Sequence, residues 1–399
     1  MNKYKNDFTL FKENPKLVYL DSAASSLKPD VVIDKVENYN RSIGVNVHRG
    51  VYNLSYQATD LYERARTNVS KFINSKFNEI VFTRGCSSAL NLVASSYGEA
   101  NIKENDEIIV SELEHHSNLI PWQKLCERKN AKLIYVPLTQ EGKITVDNFK
   151  SVLTDNTKIV ALNHVSNVMG YETPVKEIIT LSHEKNAIVV IDGAQATPHM
   201  NVDVKELDCD FYAFSGHKMC APTGIGVLYG KYKLLQGMDP IEFGGDMADV
   251  VTTTTTTYKD APYKFEAGTP IIAGAIGLGE ACVYLKNIGL DKIKEHEIKL
   301  ATLCLKELEN VEGVSVYNKN SNSGIITFNV DNVHPHDAAS VFDKNNVCLR
   351  AGHHCAQPIT TFLKQLSTLR ISFYFYNTEE DVKVFIDSVK EVVEFFGKF

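Results

Sequence analysis

The chain has 399 residues, 44% of them hydrophobic and 23% charged, with a formal net charge of −7. That length exceeds one small core and predicts two domains, and the composition is that of a soluble globular protein. The acidic balance and the absence of a long basic run or a membrane-length apolar run argue against nucleic-acid and membrane binding, and the eight cysteines, scattered without a CxxC pair, suit free thiols in a reducing compartment.

The N-terminal stretch MNKYKNDFTLFKENPK has no apolar h-region, so a cytoplasmic location is expected. Residues 17–20 read as a short strand running into Asp21-Ser22-Ala23-Ala24, and Pro29 opens a helix to about residue 41. A polar loop, His48-Arg49-Gly50, precedes a helix over 55–73. Residues 80–83 form a strand, Arg84-Gly85-Cys86-Ser87-Ser88 a small polar turn, and 89–97 an apolar helix. Strand, polar turn and helix N-terminus together make a phosphate cradle; an ordinary turn with a serine N-cap is the alternative. Residues 106–110 are a strand ending at Ser111, followed by Glu114-His115-His116-Ser117-Asn118. Adjacent histidines seldom converge on one ion, and no second cluster has ligand spacing, so no metal site is expected. Strands over 133–136 and 159–162 follow, the second leading to His164-Val165-Ser166-Asn167, and then an amphipathic helix over 175–185.

Residues 188–191 are a continuous β-branched run, as in a parallel strand covered on both faces. It ends in Asp192, at the edge where open α/β sheets bind ligands. After room for one crossover, a second buried run over 211–214 ends in Ser215-Gly216-His217-Lys218, and residues 225–229 form the next strand. This alternation predicts an α/β fold with a mainly parallel sheet and helices on both faces. A lysine amine becomes useful when desolvation lowers its pKa, and it then forms Schiff bases with carbonyls. A lysine for an aldehyde and an aspartate for a pyridinium N–H together suit pyridoxal phosphate. A solvated lysine in a turn and an aspartate that merely caps a strand are the alternatives.

The threonine run 252–257 predicts an exposed hairpin arm. Phe265 to Pro270 is a turn, 271–289 a helix rich in small residues, and 290–308 a long amphipathic helix. The pattern then changes to strands at 315–317, 325–329 and 348–349 and helices at 336–344 and 379–396, a small α/β domain with a more antiparallel sheet. Residues 15–290 are thus expected to form a large domain and 291–399 a small C-terminal one, with residues 1–14 packed on the latter. Residues 350–358 are expected as a loop, and Leu369-Arg370-Ile371-Ser372 as a strand. Most cysteines sit in apolar contexts, whereas Cys355 lies beside His353 and His354 and near Arg350, surroundings that favour a thiolate. An inert thiol or a structural metal fragment is the alternative there.

DGAQA at 192–196 with SGHK at 215–218 resembles the fold-type I pyridoxal phosphate enzymes of the class V aminotransferase group, and RAGHHCAQP at 350–358 resembles the group II, SUF-type cysteine desulfurases within it. The resemblance runs from LDSAASSLKP at 20–29 to YNTEED at 376–381. It implies conversion of L-cysteine to L-alanine, with Lys218 holding the cofactor and moving the α-proton. It implies ring stacking and proton shuttling by His115, the pyridinium on Asp192, the phenolic oxygen on Asn167, and the substrate carboxylate on Arg370. Cys86, Ser87, Gln195, Ser215 and His217 complete the implied cofactor contacts, and Arg350 joins Arg370 and Asn167 in the implied substrate site. Cys355 is the implied sulfur acceptor, carrying a persulfide destined for iron–sulfur cluster assembly. Thr269 is implied to reach the phosphate of a second subunit in a homodimer. Ser87 falls on the family's phosphate-binding threonine, whereas Ser88 replaces its glutamate.

His-Pro-His-Asp at 334–337, with the Cys355 motif, resembles desulfurases that serve a small zinc-containing sulfur acceptor. A neutral imidazole is a competent zinc ligand, so His336 is the candidate partner residue. A cap by Asp337 with both histidines solvated is the alternative. A selenocysteine lyase, a transaminase of the same fold and a non-catalytic scaffold remain open beside the desulfurase.

Overall fold

The computed structural model describes residues 3–397. A short strand β1 (Val18–Tyr19) leads into helix Asp30–Ser42 and then helix Asn53–Phe72. The main sheet is built from β2 (Ile80–Thr83), β3 (Glu107–Ser111), β4 (Lys132–Val136), β5 (Thr157–Asn163), β6 (Ile188–Asp192), β7 (Phe211–Ser215) and β8 (Gly226–Gly230). Its order is β2-β8-β7-β6-β5-β3-β4, and only β8 runs against its neighbours. The β-branched runs are buried on both faces, as a helix-covered parallel sheet requires.

Strand β3 lies between β4 and β5, so the crossover from β3 to β4 and the next, from β4 to β5, run in opposite directions. That reversal opens a crevice beyond the carboxyl ends of the strands. Ser111, Asn163, Asp192 and Ser215 end β3, β5, β6 and β7 at this edge, with Asn163 paired to Asp192 across the sheet. One face of the sheet packs on helices Asn53–Phe72 and Ile272–Ile288, the other on Cys86–Val93 and Ile120–Lys129 around fully buried Trp122.

The threonine run forms the tip of an exposed antiparallel arm, β9 (Ala248–Val251) and β10 (Thr256–Tyr258). A second sheet contains β11 (Val314–Val316), β12 (Ile325–Val330), β14 (Arg350–Gly352) and β15 (Thr368–Ser372) in the order β11-β12-β15-β14, all antiparallel. Strand β13 (Val347–Cys348) pairs instead with β1. Helix Leu290–Leu308 joins the two parts: Leu290 and Ile293 enter the main core, and Leu300, Cys304 and Leu308 the smaller one. Residues 3–13 touch both parts rather than the C-terminal part alone. Phe8 and Phe11 pack on Tyr376 and Lys5 pairs with Asp381, while Asp7 accepts from Tyr284. Residues 1–2 lie outside the described residues. Among the described residues no helix is long and apolar enough to cross a membrane.

Two local expectations change. The helix expected from residue 89 starts at Cys86, so Ser87 and Ser88 are in its first turn and no side chain caps it. Arg350 to Gly352 are strand rather than loop, because they pair with Thr368 to Arg370, and helix Gln357–Phe362 follows. The turn that carries Cys355 therefore shrinks to residues 353–356.

Candidate active site

The crevice at the sheet edge gathers Cys86, Ser87, His115, Asn167, Asp192, Gln195, Ser215, His217, Lys218, Arg350, Cys355 and Arg370 around one cavity. Every site residue expected from the sequence is there except Thr269 and His336. A larger groove runs between the N-terminal segment and Asn377 to Asp381, but it holds neither the strand-end groups nor Cys355.

Lys218 ends the helical turn Gly216–Lys218 that follows β7, half-buried at the cavity wall. Burial lowers its pKa and the nearby Asp192 carboxylate opposes that shift, so the environment is not that of a solvated turn lysine. Asp192 is held by the Ala194 N–H at 3.0 Å and the Cys86 thiol at 3.2 Å, both on Oδ1. Cys86 thus meets the cavity mainly through the aspartate, and burial followed by that carboxylate keeps its thiol protonated.

His115 is pushed down to about 4 by burial and then by the Lys218 charge. The Ser117 N–H donates to its Nδ1 at 3.1 Å, leaving the ring proton on Nε2. At the helix N-terminus, Ser87 lies within 2.6 Å of Ser117, and Ser215 Oγ accepts from the Cys86 N–H at 2.8 Å. Strand β8 passes so close that a Cβ on Gly226 would lie 2.4 Å from the Cα of Gly85, so only glycine fits this wall. His217 is pushed down to about 4 by burial and then by Lys218.

Arg370, in β15, is buried; its Nη1 donates to the Asn167 carbonyl at 2.9 Å and its Nη2 meets Asp21 at 3.3 Å. Burial pulls its pKa down only to about 10, so the guanidinium stays charged. Arg350 is held by Asp21 through Nη2 at 2.9 Å and keeps 47% of its side chain exposed. Cys355 is exposed, whereas six of the other cysteines are buried.

Five buried side-chain polar atoms lack a partner among the described residues: Asn163 Oδ1, Gln195 Oε1, His354 Nδ1, Ser367 Oγ and Arg370 Nε. Four belong to residues lining this cavity. Buried polar groups are rarely left unpaired, so the cavity fits a polar ligand. The donors and charges suit a protonated ring nitrogen at Asp192, an anion at the helix N-terminus and a carboxylate at Arg370.

Thr269 lies elsewhere, on an outer groove shared with Ser88, where its hydroxyl accepts from Asn46 Nδ2 at 3.2 Å. His336 is exposed on helix Pro335–Lys344, its ring stacked on His334 at 5.5 Å. His334, not Asp337, caps that helix through Nδ1.

Two features escaped the sequence reading. Asp21 bridges both arginines, although its only local signal was the end of a short strand. Behind His115, Glu114 is fully buried and accepts from Ser111 Oγ at 2.6 Å, Asn118 Nδ2 at 2.7 Å and Asn163 Nδ2 at 2.8 Å. Burial raises its pKa to about 8. Ser111 and Asn118 lie three and four residues away along the chain, but Asn163 comes from the end of another strand, which no local pattern shows.

The aminotransferase class-V family model matches residues 18–385. The chain is 52% identical to a probable cysteine desulfurase of Halalkalibacterium halodurans, covering 96% of this chain and 94% of that one. It is 50% identical to a probable cysteine desulfurase of Staphylococcus aureus, over 100% and 98% of the two chains. Among solved structures, it resembles the cysteine desulfurase CsdA of Escherichia coli in its S-sulfonic acid form, with TM-score 0.93, 37% identity and 98% of each chain covered. It also resembles an apo cysteine desulfurase from Thermococcus onnurineus, with TM-score 0.94, 39% identity and 98% and 97% covered.

Proposed function

Because this chain belongs to the aminotransferase class-V family, we propose that it is a pyridoxal phosphate-dependent cysteine desulfurase. The observation that carries the reading is one cavity holding Lys218, Asp192, Arg370 and an exposed Cys355. Bound there, pyridoxal phosphate supplies an electron sink for charge developing at the substrate α-carbon.

The residues divide the work. Asp192, fixed by Ala194 and Cys86, balances positive charge on the ring nitrogen. The Ser87 amide at the helix N-terminus, with the hydroxyl of Ser87, the Ser215 hydroxyl that accepts from the Cys86 N–H, and His217, binds the phosphate. Asn167 and Gln195 orient the ring, and His115, neutral at physiological pH, lies against it. Arg370 binds the carboxylate of L-cysteine, its Nε without a partner among the described residues. Lys218, its amine deprotonated more readily through burial, takes the α-proton. The Cys355 sulfur then attacks the substrate sulfur: an S–S bond forms and the substrate C–S bond breaks. The electron pair of that C–S bond stays on the β-carbon, which takes up the proton given up by the thiol. Lys218 returns a proton to the α-carbon, and alanine leaves while Cys355 keeps a persulfide.

Arg350 sits at the mouth of the cavity, fixed by Asp21 for contact with the substrate. Residues 15–290 and 291–399 are proposed as the two domains, with the cavity between their sheets. A homodimer is proposed as the working form, with the partner subunit's Thr269 completing the phosphate site. Supporting it, Val51 is 88% and Phe243 66% exposed, on two segments joined by His48 and Arg49 to Asp246. The exposed His336 is proposed to meet a small, zinc-containing sulfur acceptor of the SUF type, which passes sulfur toward iron–sulfur clusters in the cytoplasm.

The test is product analysis. Purified protein given pyridoxal phosphate, L-cysteine and a reductant is expected to release equal alanine and sulfide. A keto acid instead of alanine indicates a transaminase, and no product indicates a scaffold. Faster turnover of selenocysteine than cysteine reassigns it as a selenocysteine lyase.

A further inference from the structure

The turn that carries Cys355 has a shape its own residues do not favour. His354 and Cys355 are consecutive residues in the left-handed region, with φ of 53° and 54°. Side-chain-bearing residues stay there only where their surroundings hold them. Within the turn, one backbone bond from Ala356 N–H to the His353 carbonyl, at 2.9 Å, closes it.

On the small-domain side the His354 ring pairs with Thr368 Oγ1 at 2.8 Å and the His353 ring with Thr360 Oγ1 at 3.2 Å. The backbone on either side of the sulfur-bearing residue is held from the main-sheet side. Asn167 Nδ2 donates to the His354 carbonyl at 2.8 Å. The backbone N–H of His116 donates to the Cys355 carbonyl at 2.7 Å. The Gln357 N–H donates to the ring of His116, at 3.1 Å from Nε2. His116 therefore grips the chain on both sides of Ala356, immediately after the sulfur-bearing residue, yet it does not itself line the cavity.

We propose that His116 is a positioning residue that pins the Cys355 turn and so fixes where the sulfur stands relative to Lys218 and Arg370. This rests on the desulfurase reading for its catalytic consequence, but not for the clasp itself. An Nε2 that accepts an N–H bond belongs to a neutral ring with its proton on Nδ1. Protonation removes the acceptor and leaves only the backbone half of the clasp. Burial and then the neighbouring His353 keep the ring pKa low, which preserves the clasp at neutral pH. The titratable groups beside the ring are His115 on its own loop and His353 and Cys355 on the turn.

The test compares His116→Ala and His116→Gln in the holoenzyme. Glutamine places an uncharged acceptor near the Nε2 position. Loss of one hydrogen bond predicts roughly five- to tenfold faster amide exchange at Gln357 in His116→Ala. The kcat for L-cysteine is expected to fall by a similar factor while KM stays close to the parent value, because Arg370 is untouched. His116→Gln is expected to recover both. In the parent, protection of the Gln357 amide, corrected for intrinsic exchange, is expected to drop on acidification as His116 protonates; in His116→Gln it is not. Parent-like exchange in His116→Ala, an equal loss in His116→Gln, or no acid-linked drop in the parent overturns the clasp. If the exchange results hold but the parent releases no alanine from cysteine, the desulfurase reading fails and the clasp stands.

Discussion

Replacing Glu266 by glutamine removes half of the most enclosed ion pair in the molecule. Arg66 is fully buried, and its Nη1 and Nη2 meet the two oxygens of Glu266 at 2.7 and 2.8 Å. Burial works most strongly against the guanidinium, but Glu266, Tyr62 and Glu63 together outweigh it and raise the pKa well above normal. The same carboxylate accepts from the Phe82 N–H at 2.9 Å and the Tyr62 hydroxyl at 2.8 Å. The change leaves a buried cation short of one anion, a loss worth ~3–5 kcal/mol when a partner is removed. Glu63, 2.8 Å from Arg66 Nε, offsets part of it, so the lower end, about 3 kcal/mol, is expected. At about 2.1 cal/mol/K per residue over a domain of roughly 280 residues, that is a Tm lowered by about 5 °C, read in thermal scans at matched rate. Glu266 also opens the turn that presents Thr269, so Glu266→Gln is expected to lose pyridoxal phosphate faster on gel filtration. A Tm within about 2 °C of the parent, with unchanged cofactor retention, refutes the reasoning that this pair anchors the turn.

Lys218→Ala is expected to fold and yet release no alanine from cysteine, because the residue contributes little to the core; parent-level turnover contradicts its assignment. His336→Ala is expected to keep a near-normal first turnover but lose stimulation by a zinc-containing acceptor, measured as alanine formed with and without that protein; equal stimulation removes His336 from the exchange. The cofactor-free protein is expected to gain stability as pH rises from 5 to 6.5. His115, His164 and His217 are pushed down to about 4 and His354 to about 2, chiefly by burial, so unfolding lets each take up a proton below its unfolded value of about 6.5. Glu114 and Glu297, raised by burial, oppose this because they hold protons that the unfolded chain releases above about 4.3, but four groups outweigh two. A Tm that is flat or falling over this interval contradicts the buried, neutral histidines.

The strand ends were readable because a buried parallel strand is a continuous apolar run, and its first polar residue marks the sheet edge. Asp192 and Ser215 were found that way, and Lys218 by its place just beyond. Arg370 was harder, since one arginine in a strand is as often a surface charge; the fold buries it against Asn167 and Asp21. The residues that sequence reasoning missed are held by contacts distant in the chain. Asp21 meets Arg350 across 329 positions, and Glu114 draws Asn163 from another strand. Gly352 and the two histidines after it weaken the strand pattern of Arg350–Gly352, and pairing with β15 decides the matter. Thr269 illustrates a different limit: its proposed task lies in a second subunit, so neither one chain's sequence nor its fold brings it to the cavity.

The central claim is that Cys355 receives the substrate's sulfur. The most direct measurement is peptide mass spectrometry after brief exposure of the cofactor-loaded protein to equimolar L-cysteine, alongside Cys355→Ser. The expected result is one added sulfur on the peptide containing Cys355, and none in Cys355→Ser although that variant still binds cofactor. Sulfur on the Cys86 or Cys348 peptide instead, or undiminished alanine and sulfide release by Cys355→Ser, contradicts the account.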